Sequence, residues 1–241
     1  MSQTKYGVHP SQELLALFSE RPYQGQQPER ASVLILGNDA NYSPAISEHP
    51  FFSRILDYHA DGVRFWTKNG KHHPFLLADY PFDRRTGGVK YHANFAKLGF
   101  TSQDAGRFSF IELLNVPTTG NTGQNRDLFF QLLDRRHLSW LEDAIFGSGR
   151  KFVLVNQTLA RIIGKIRSRL KALPRLAQTL QEVNVVPGAV RAGPTVLYCG
   201  YSFSHTVSNA YLAALAASMR EFMGECREAD ATLPAPPVSA G

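Results

Sequence analysis

Val33-Leu34-Ile35-Leu36-Gly37-Asn38-Asp39-Ala40-Asn41 is the stretch on which the reading of this chain turns. Four consecutive branched apolar residues, with no polar alternation, suit a strand covered on both faces, as in a parallel sheet. Gly37 ends the run and short polar residues follow it, so the strand passes into a tight loop. Pro50 fits the first turn of a helix that carries Phe51, Phe52, Ile55 and Leu56 at helical spacing. Strand, loop and helix in that order begin a crossover unit, the connection that parallel neighbours require.

Outward from this stretch the pattern repeats. Phe108 to Leu114, Phe152 to Val155 and Thr195 to Cys199 are three further strand-like runs. Helical spacing separates them, through Leu128, Phe129 and Leu132, then Leu138, Leu141 and Ile145, and then from about Thr158, where Leu159, Ile162, Ile163 and Ile166 share a face. Leu14, Leu15, Leu17 and Phe18, entered through Pro10 and Ser11, predict a first helix, and Val207 to Met223 a last one. From Gly62 to Gly88 the pattern is irregular and reads as an insertion or long excursion. The fold class is therefore α/β. A three-layer α/β/α sandwich about a central, mainly parallel four-stranded sheet is expected, as a single domain over 1–226 with a disordered Ala/Pro-rich tail over 227–241.

At 241 residues, 43% hydrophobic and 19% charged, the balance is that of a globular chain, and no apolar run is long enough to cross a bilayer. The N-terminus lacks a secretory layout and two cysteines make no disulfide framework, so a cytoplasmic monomer without membrane contact is expected. A net charge of +6 and a pI near 9.4 suit a polyanionic partner, because basic side chains release the counterions condensed on phosphates.

In an open parallel sheet, ligands bind beyond the carboxyl ends of the strands. The loops there carry Asp39 and Asn41, then Asn115, Asn156, and finally Tyr201, Ser202 and His205. No Cys, His and carboxylate cluster has metal-ligand spacing, His72-His73 being a weak pair, so no metal is expected. Neither a phosphate loop, a dinucleotide glycine fingerprint nor a nucleophile elbow is present, so no nucleotide cofactor is expected either.

Leu36-Gly37-Asn38-Asp39 and Ile111-Glu112-Leu113-Leu114-Asn115-Val116-Pro117 together resemble the uracil-DNA glycosylase superfamily. Its first strand ends in a Gly-x-Asp/Asn loop, and another ends in an asparagine that reads the base edge. Gly200-Tyr201-Ser202-Phe203-Ser204-His205 lies where the family has a His-Pro-Ser-Pro loop, in a different register. The resemblance implies a DNA glycosylase that flips a base out of single- or double-stranded DNA and hydrolyses its N-glycosidic bond to leave an abasic site. It implies Asp39 and His205 as catalytic groups. Asn115, Asn41, Gly37, Asn38 and Ser202 would line the base, with Phe51 or Phe52 as the stacking face.

The uracil-specific branch reads Gly-Gln-Asp-Pro-Tyr-His, whose tyrosine crowds the pyrimidine 5-position. Ala40 and Asn41 stand in place of that proline and tyrosine, which admits a 5-substituted pyrimidine as well as uracil and makes both repair and defence against foreign DNA open roles. Each residue also has a plainer reading: Asp39 as a turn cap, Asn115 as a turn mimic, Phe51 and Phe52 as core, His205 as packing at a helix start. A non-catalytic nucleic-acid-binding module is the main alternative. An SGNH-type hydrolase ranks lower, because the first loop has no serine and the last no Asp-x-x-His.

Overall fold

The computed structural model describes residues 5–85, 87–147 and 149–231, with side chains through 224. In chain order, β1 is Gly7–Val8, α1 Gln12–Glu20, β2 Tyr23–Gly25, β3 Val33–Gly37, α2 Phe52–Ala60, α3 Gly62–Asn69 and α4 Gly87–Ala96. Next come β4 Phe108–Glu112, β5 Thr118–Thr119, α5 Arg126–Gln131, α6 Arg135–Phe146, β6 Phe152–Asn156 and α7 Gln157–Leu170. The chain closes with α8 Pro174–Gln181, β7 Gly188–Ala192, β8 Thr195–Gly200 and α9 Asn209–Ala231. The protein is a mixed α/β structure.

Among the described residues one sheet has six strands, in the order β2-β4-β3-β6-β8-β7. The four strands expected from sequence are its parallel centre, and antiparallel β2 and β7 add an edge on each side, so the count is six rather than four. These edges escaped the sequence reading because Tyr23–Gly25 is very short and Gly188–Ala192 shows little apolar alternation. Thr118–Thr119, expected to be loop, pairs with Gly7–Val8 in a separate two-stranded ladder.

Alternate residues of each central strand enter different apolar clusters, as a period of two demands. Val33, Ile35, Phe108, Phe110, Phe152 and Leu154 pack with Trp66, Phe95, Leu215 and Met219, from α3, α4 and α9. Leu34, Leu36, Ile111, Val153 and Val155 pack with Leu138, Leu141, Leu159 and Ile163, from α6 and α7. Burying each such side chain contributes about 1.5–3 kcal/mol relative to exposure, which makes the central strands the stable frame of the molecule.

Local chemistry sets the helix ends. The Ser11 hydroxyl accepts from the Leu14 N–H at the start of α1, and the Asn156 side chain accepts from the Leu159 N–H at 3.0 Å at the start of α7. The segment read as an irregular excursion contains α3 and the start of α4. Asp61 caps α3, whose Phe65 and Trp66 are buried, and Gly70 ends it at φ 63. Eight-residue helices with interleaved Lys, Arg and Thr carry too few apolar repeats to be read from sequence. Helix α9 continues past residue 226 into the segment expected to be a tail, and 232–241 lie outside the described residues. No described helix is long and apolar enough to cross a membrane.

Candidate active site

The order of the central strands places the site. The chain runs from β3 to β4 on one side and then crosses back to β6 on the other, so the direction of connection reverses between β3 and β6. Side chains and loops at such a switch point leave a crevice beyond the strand ends. Pairing of β3 with β6 stops at Ile35 and Leu154, although both strands continue by two residues. A cavity of about 300 Å³ opens there, at the lower end of the size range of small-molecule sites.

Asp39 lies in its wall. Its carboxylate accepts from the Thr118 hydroxyl and from the Thr122 hydroxyl at 3.3 Å. Burial pushes its pKa up, and these two hydroxyls oppose that push by stabilising the charged form. The Tyr6 hydroxyl is buried beside it, its phenol pushed up by burial and by the Asp39 charge.

Glu112, which the sequence reading left unassigned, is the second carboxylate. It ends β4 directly opposite Gly37 in the parallel register. Period two from Phe108 and Phe110 turns it to the same face as Val33 and Ile35, while Ile111 and Leu113 turn to the other. A Cβ on Gly37 would overlap its carboxyl group, so glycine at that position is what lets Glu112 lie across the strand end. No described residue hydrogen-bonds the Glu112 carboxyl. Burial, and secondarily the Asp39 charge, raise its pKa from 4.5 to about 8, so it is mostly protonated at neutral pH.

Aromatic rings form the rest of the wall: Tyr42, Tyr58, Phe75, Tyr91 and Phe110, with His73 and His92 stacked at 3.5 Å between ring centroids. Burial holds both imidazoles below their usual range and hence neutral. His73 Nδ1 accepts from the Phe75 N–H at 3.2 Å, which leaves its proton on Nε2, and His72 Nε2 meets His92 Nδ1 at 3.1 Å. The sequence pair His72-His73 is thus part of an aromatic stack. No group of three or more His, Cys, Asp or Glu among the described residues is placed to hold a metal.

Two further polar atoms stand out. Gln24 Nε2, from edge strand β2, and Asn38 Oδ1 are buried with no hydrogen-bond partner among the described residues, and both residues line the cavity. An unmade buried hydrogen bond costs about 1–3 kcal/mol, so both atoms are available to a polar group that enters the cavity.

Of the residues expected from sequence, Gly37, Asn38, Asp39, Asn41, Ser202 and His205 come together at this cavity. Asn41 is nevertheless committed: its amide donates to the Thr118 hydroxyl at 3.1 Å and to the Gly120 carbonyl at 2.7 Å, tying the loop after β4 to the loop after β3. His205 is exposed at the rim, with its backbone carbonyl held by Asn94 Nδ2. The Ser202 hydroxyl accepts from the Ser204 N–H at 3.3 Å, which shapes that loop.

Three of the expected residues lie elsewhere. Asn115 faces a different cavity, with Tyr23, His137 and Trp140, because Leu113 and Leu114 are both buried and carry the chain away from the β4 end. Phe51 and Phe52 are core, packed with Ile46 and Ile55, and the aromatic surface comes instead from Phe75, Tyr91 and Phe110. Glu112 was detectable, since a lone carboxylate on the alternation of Phe108 and Phe110 has no solvent face to occupy. Gln24, Phe75 and His92 were not, because only tertiary folding brings them here.

The arrangement offers an ionisable carboxylate beside a shielded carboxylic acid, over an aromatic slot edged by unpaired amide atoms. It suits a flat, polar-edged ring joined to a bond whose cleavage separates charge. The chain matches no protein-family model, no curated protein and no solved structure.

Proposed function

We propose that the protein is a DNA glycosylase, an N-glycosyl hydrolase that accepts a flipped-out nucleotide and leaves an abasic site. The observation that carries this reading is the Asp39 and Glu112 pair in one aromatic cleft at the sheet's switch point. The apolar clusters on opposite faces of the sheet support the three-layer α/β/α arrangement as its frame.

Cleavage of an N-glycosidic bond leaves positive charge on C1′ of the sugar and negative charge on the departing base. Asp39, the carboxylate with hydrogen-bond donors, ionises before Glu112 and stabilises the cation while orienting water toward C1′. As water adds, its proton passes to Asp39. The Glu112 carboxyl, protonated near pH 7, donates to the leaving base, so the bonding pair departs onto a ring that is neutralised as it leaves. Phe75, Tyr91 and Phe110 offset the lost base stacking. Gln24 and Asn38 take the base-edge contacts assigned from sequence to Asn115.

The substrate class is a uracil-like or 5-modified pyrimidine. Asn41, held back by Thr118 and Gly120, leaves the space that a ring would fill. A second cavity of about 590 Å³, which shares Asp39, Asn41, Tyr42 and Phe75 with the first, provides room for a ring substituent. Incubation with oligonucleotides carrying uracil, hypoxanthine, thymine mismatches or 5-modified cytosines, followed by abasic-site detection, tests this. Release of at least one base is expected, and no release across the panel refutes the enzymatic reading.

A further inference from the structure

Beside the cleft, on the far side of Asn38 and Thr158, lies a cavity of about 380 Å³ between α5 and α7. Asn38 and Thr158 line both spaces. Arg126, Arg161 and Lys165 form its charged wall, all three exposed, and their guanidinium and ammonium groups make no ion pair or hydrogen bond to another described residue. Arg161 and Lys165 are four residues apart on α7 and share one face, about 6 Å apart along the helix axis. Phe130, half-buried, lies in the same wall, beneath the Arg169 guanidinium at 4.6 Å. Thr122, in this wall, also donates to Asp39.

Cations left unpaired in a row cost the fold self-repulsion and return nothing to it, which sets them apart from the paired Arg169 and Asp127 nearby. A positive track with an interleaved aromatic ring is the arrangement that holds a single nucleic-acid strand, whose phosphates meet the cations while a base stacks. We propose that this groove binds the single strand flanking the nucleotide in the cleft, with phosphodiesters on Arg126, Arg161 and Lys165 and a neighbouring base on Phe130. An acidic protein segment would find the charges but has no use for the half-buried ring or for continuity with a base-sized cleft. The proposal rests on the reading of the cleft as a nucleotide site, though not on its chemistry.

The test is equilibrium binding of a fluorescent 15-nucleotide single-stranded oligonucleotide by the full chain, from 50 to 200 mM salt. The wild type is compared with the triple variant R126A/R161A/K165A and with F130A. Loss of three phosphate contacts lowers the slope of log K against log salt by about 2. The variant then loses about twentyfold less affinity than wild type across that range, and it binds more weakly at 50 mM. F130A is expected to weaken binding with its slope unchanged. Unchanged slope and affinity in the triple variant, or equal competition by polyglutamate, overturns the proposal, as does absence of oligonucleotide binding by wild type. Circular dichroism and Tm confirm that these surface variants are folded. Wild-type binding through the groove without base release from any substrate overturns the glycosylase reading and leaves the groove standing.

Discussion

Two concave regions flank the end of β4, and only one has the makings of a site. The cavity beside Asn115 is the larger, about 430 Å³ against about 300 Å³, and it also holds a histidine, carboxylates and aromatic rings. None of its lining side chains has a polar atom both buried and unpaired among the described residues, and several are paired within the fold. Trp140 donates to Glu29 at 3.2 Å, His137 Nε2 meets the Glu112 carbonyl at 2.8 Å, and Asp134 caps α6 through the N–H groups of Arg136 and His137. Among the described residues, the cleft at Gly37–Asp39 instead keeps Gln24 Nε2 and Asn38 Oδ1 unpaired and a carboxylic acid without a hydrogen-bond partner. Folding free energy has been spent there without local return, which is how a binding or reacting site differs from a surface hollow.

The sharpest way to break this comparison is Asp39→Asn. It removes the ionisable group while keeping its shape, and base release is expected to fall by about 10²–10⁴-fold, with oligonucleotide affinity preserved. Equal release by the variant would mean that the cleft is only a binding surface.

Glu112→Gln follows. A carboxyl whose folded pKa is raised keeps its proton while the unfolded chain has lost it, so its contribution to stability falls as pH rises from 4.5 to about 8 and levels off above that. The glutamine variant should lack this decline and have a Tm higher by at least about 2–4 °C at pH 8, the shift that 1 kcal/mol produces in a chain of this size. In activity, the wild type should lose rate above about pH 8 as Glu112 ionises, and the variant should be slower with no such alkaline limb. A flat wild-type profile up to pH 9.5 would remove Glu112 from the chemistry.

Gly37→Ala separates the shape of the cleft from its charges. The new methyl group overlaps the Glu112 carboxyl, and crowding of this kind costs about 1–3 kcal/mol. Thermal melting should report the loss, and Gly37→Ala combined with Glu112→Ala should recover most of it. Failure to recover would place the strain in the backbone. The smallest effect belongs to the other cavity: Asn115→Ala is expected to change base release by less than about threefold, within what surface substitutions usually do, whereas Gln24→Ala should raise KM. A large effect at Asn115 with none at Gln24 would reverse the assignment of the base-reading side.

Asn115 follows a run of leucines, the position in which a sequence pattern places a base-reading asparagine. Alternation along β4 selects Glu112 instead, three residues earlier, and Leu113 and Leu114 then carry the backbone toward the opposite cluster. Phe51 and Phe52 have the spacing of a helix face, and they stand at the cap and first position of α2, buried in the core. The tie from Asn41 to Thr118 and Gly120 spans 77 and 79 residues, and no local pattern encodes it.

By itself, the sequence determined the parallel centre of the sheet, the helices of strongest period, and the loop of Gly37, Asn38 and Asp39 at a strand end. Each of these follows from residues adjacent in the chain, where periodicity and turn chemistry act directly. Tertiary structure alone decided the two edge strands, the helix from Gly62 to Asn69, and the company that Asp39 keeps. The pKa of Glu112 and the unpaired state of Gln24 arise from desolvation by groups distant in sequence. Desolvation is a property of the packed assembly, so no stretch of chain carries it alone.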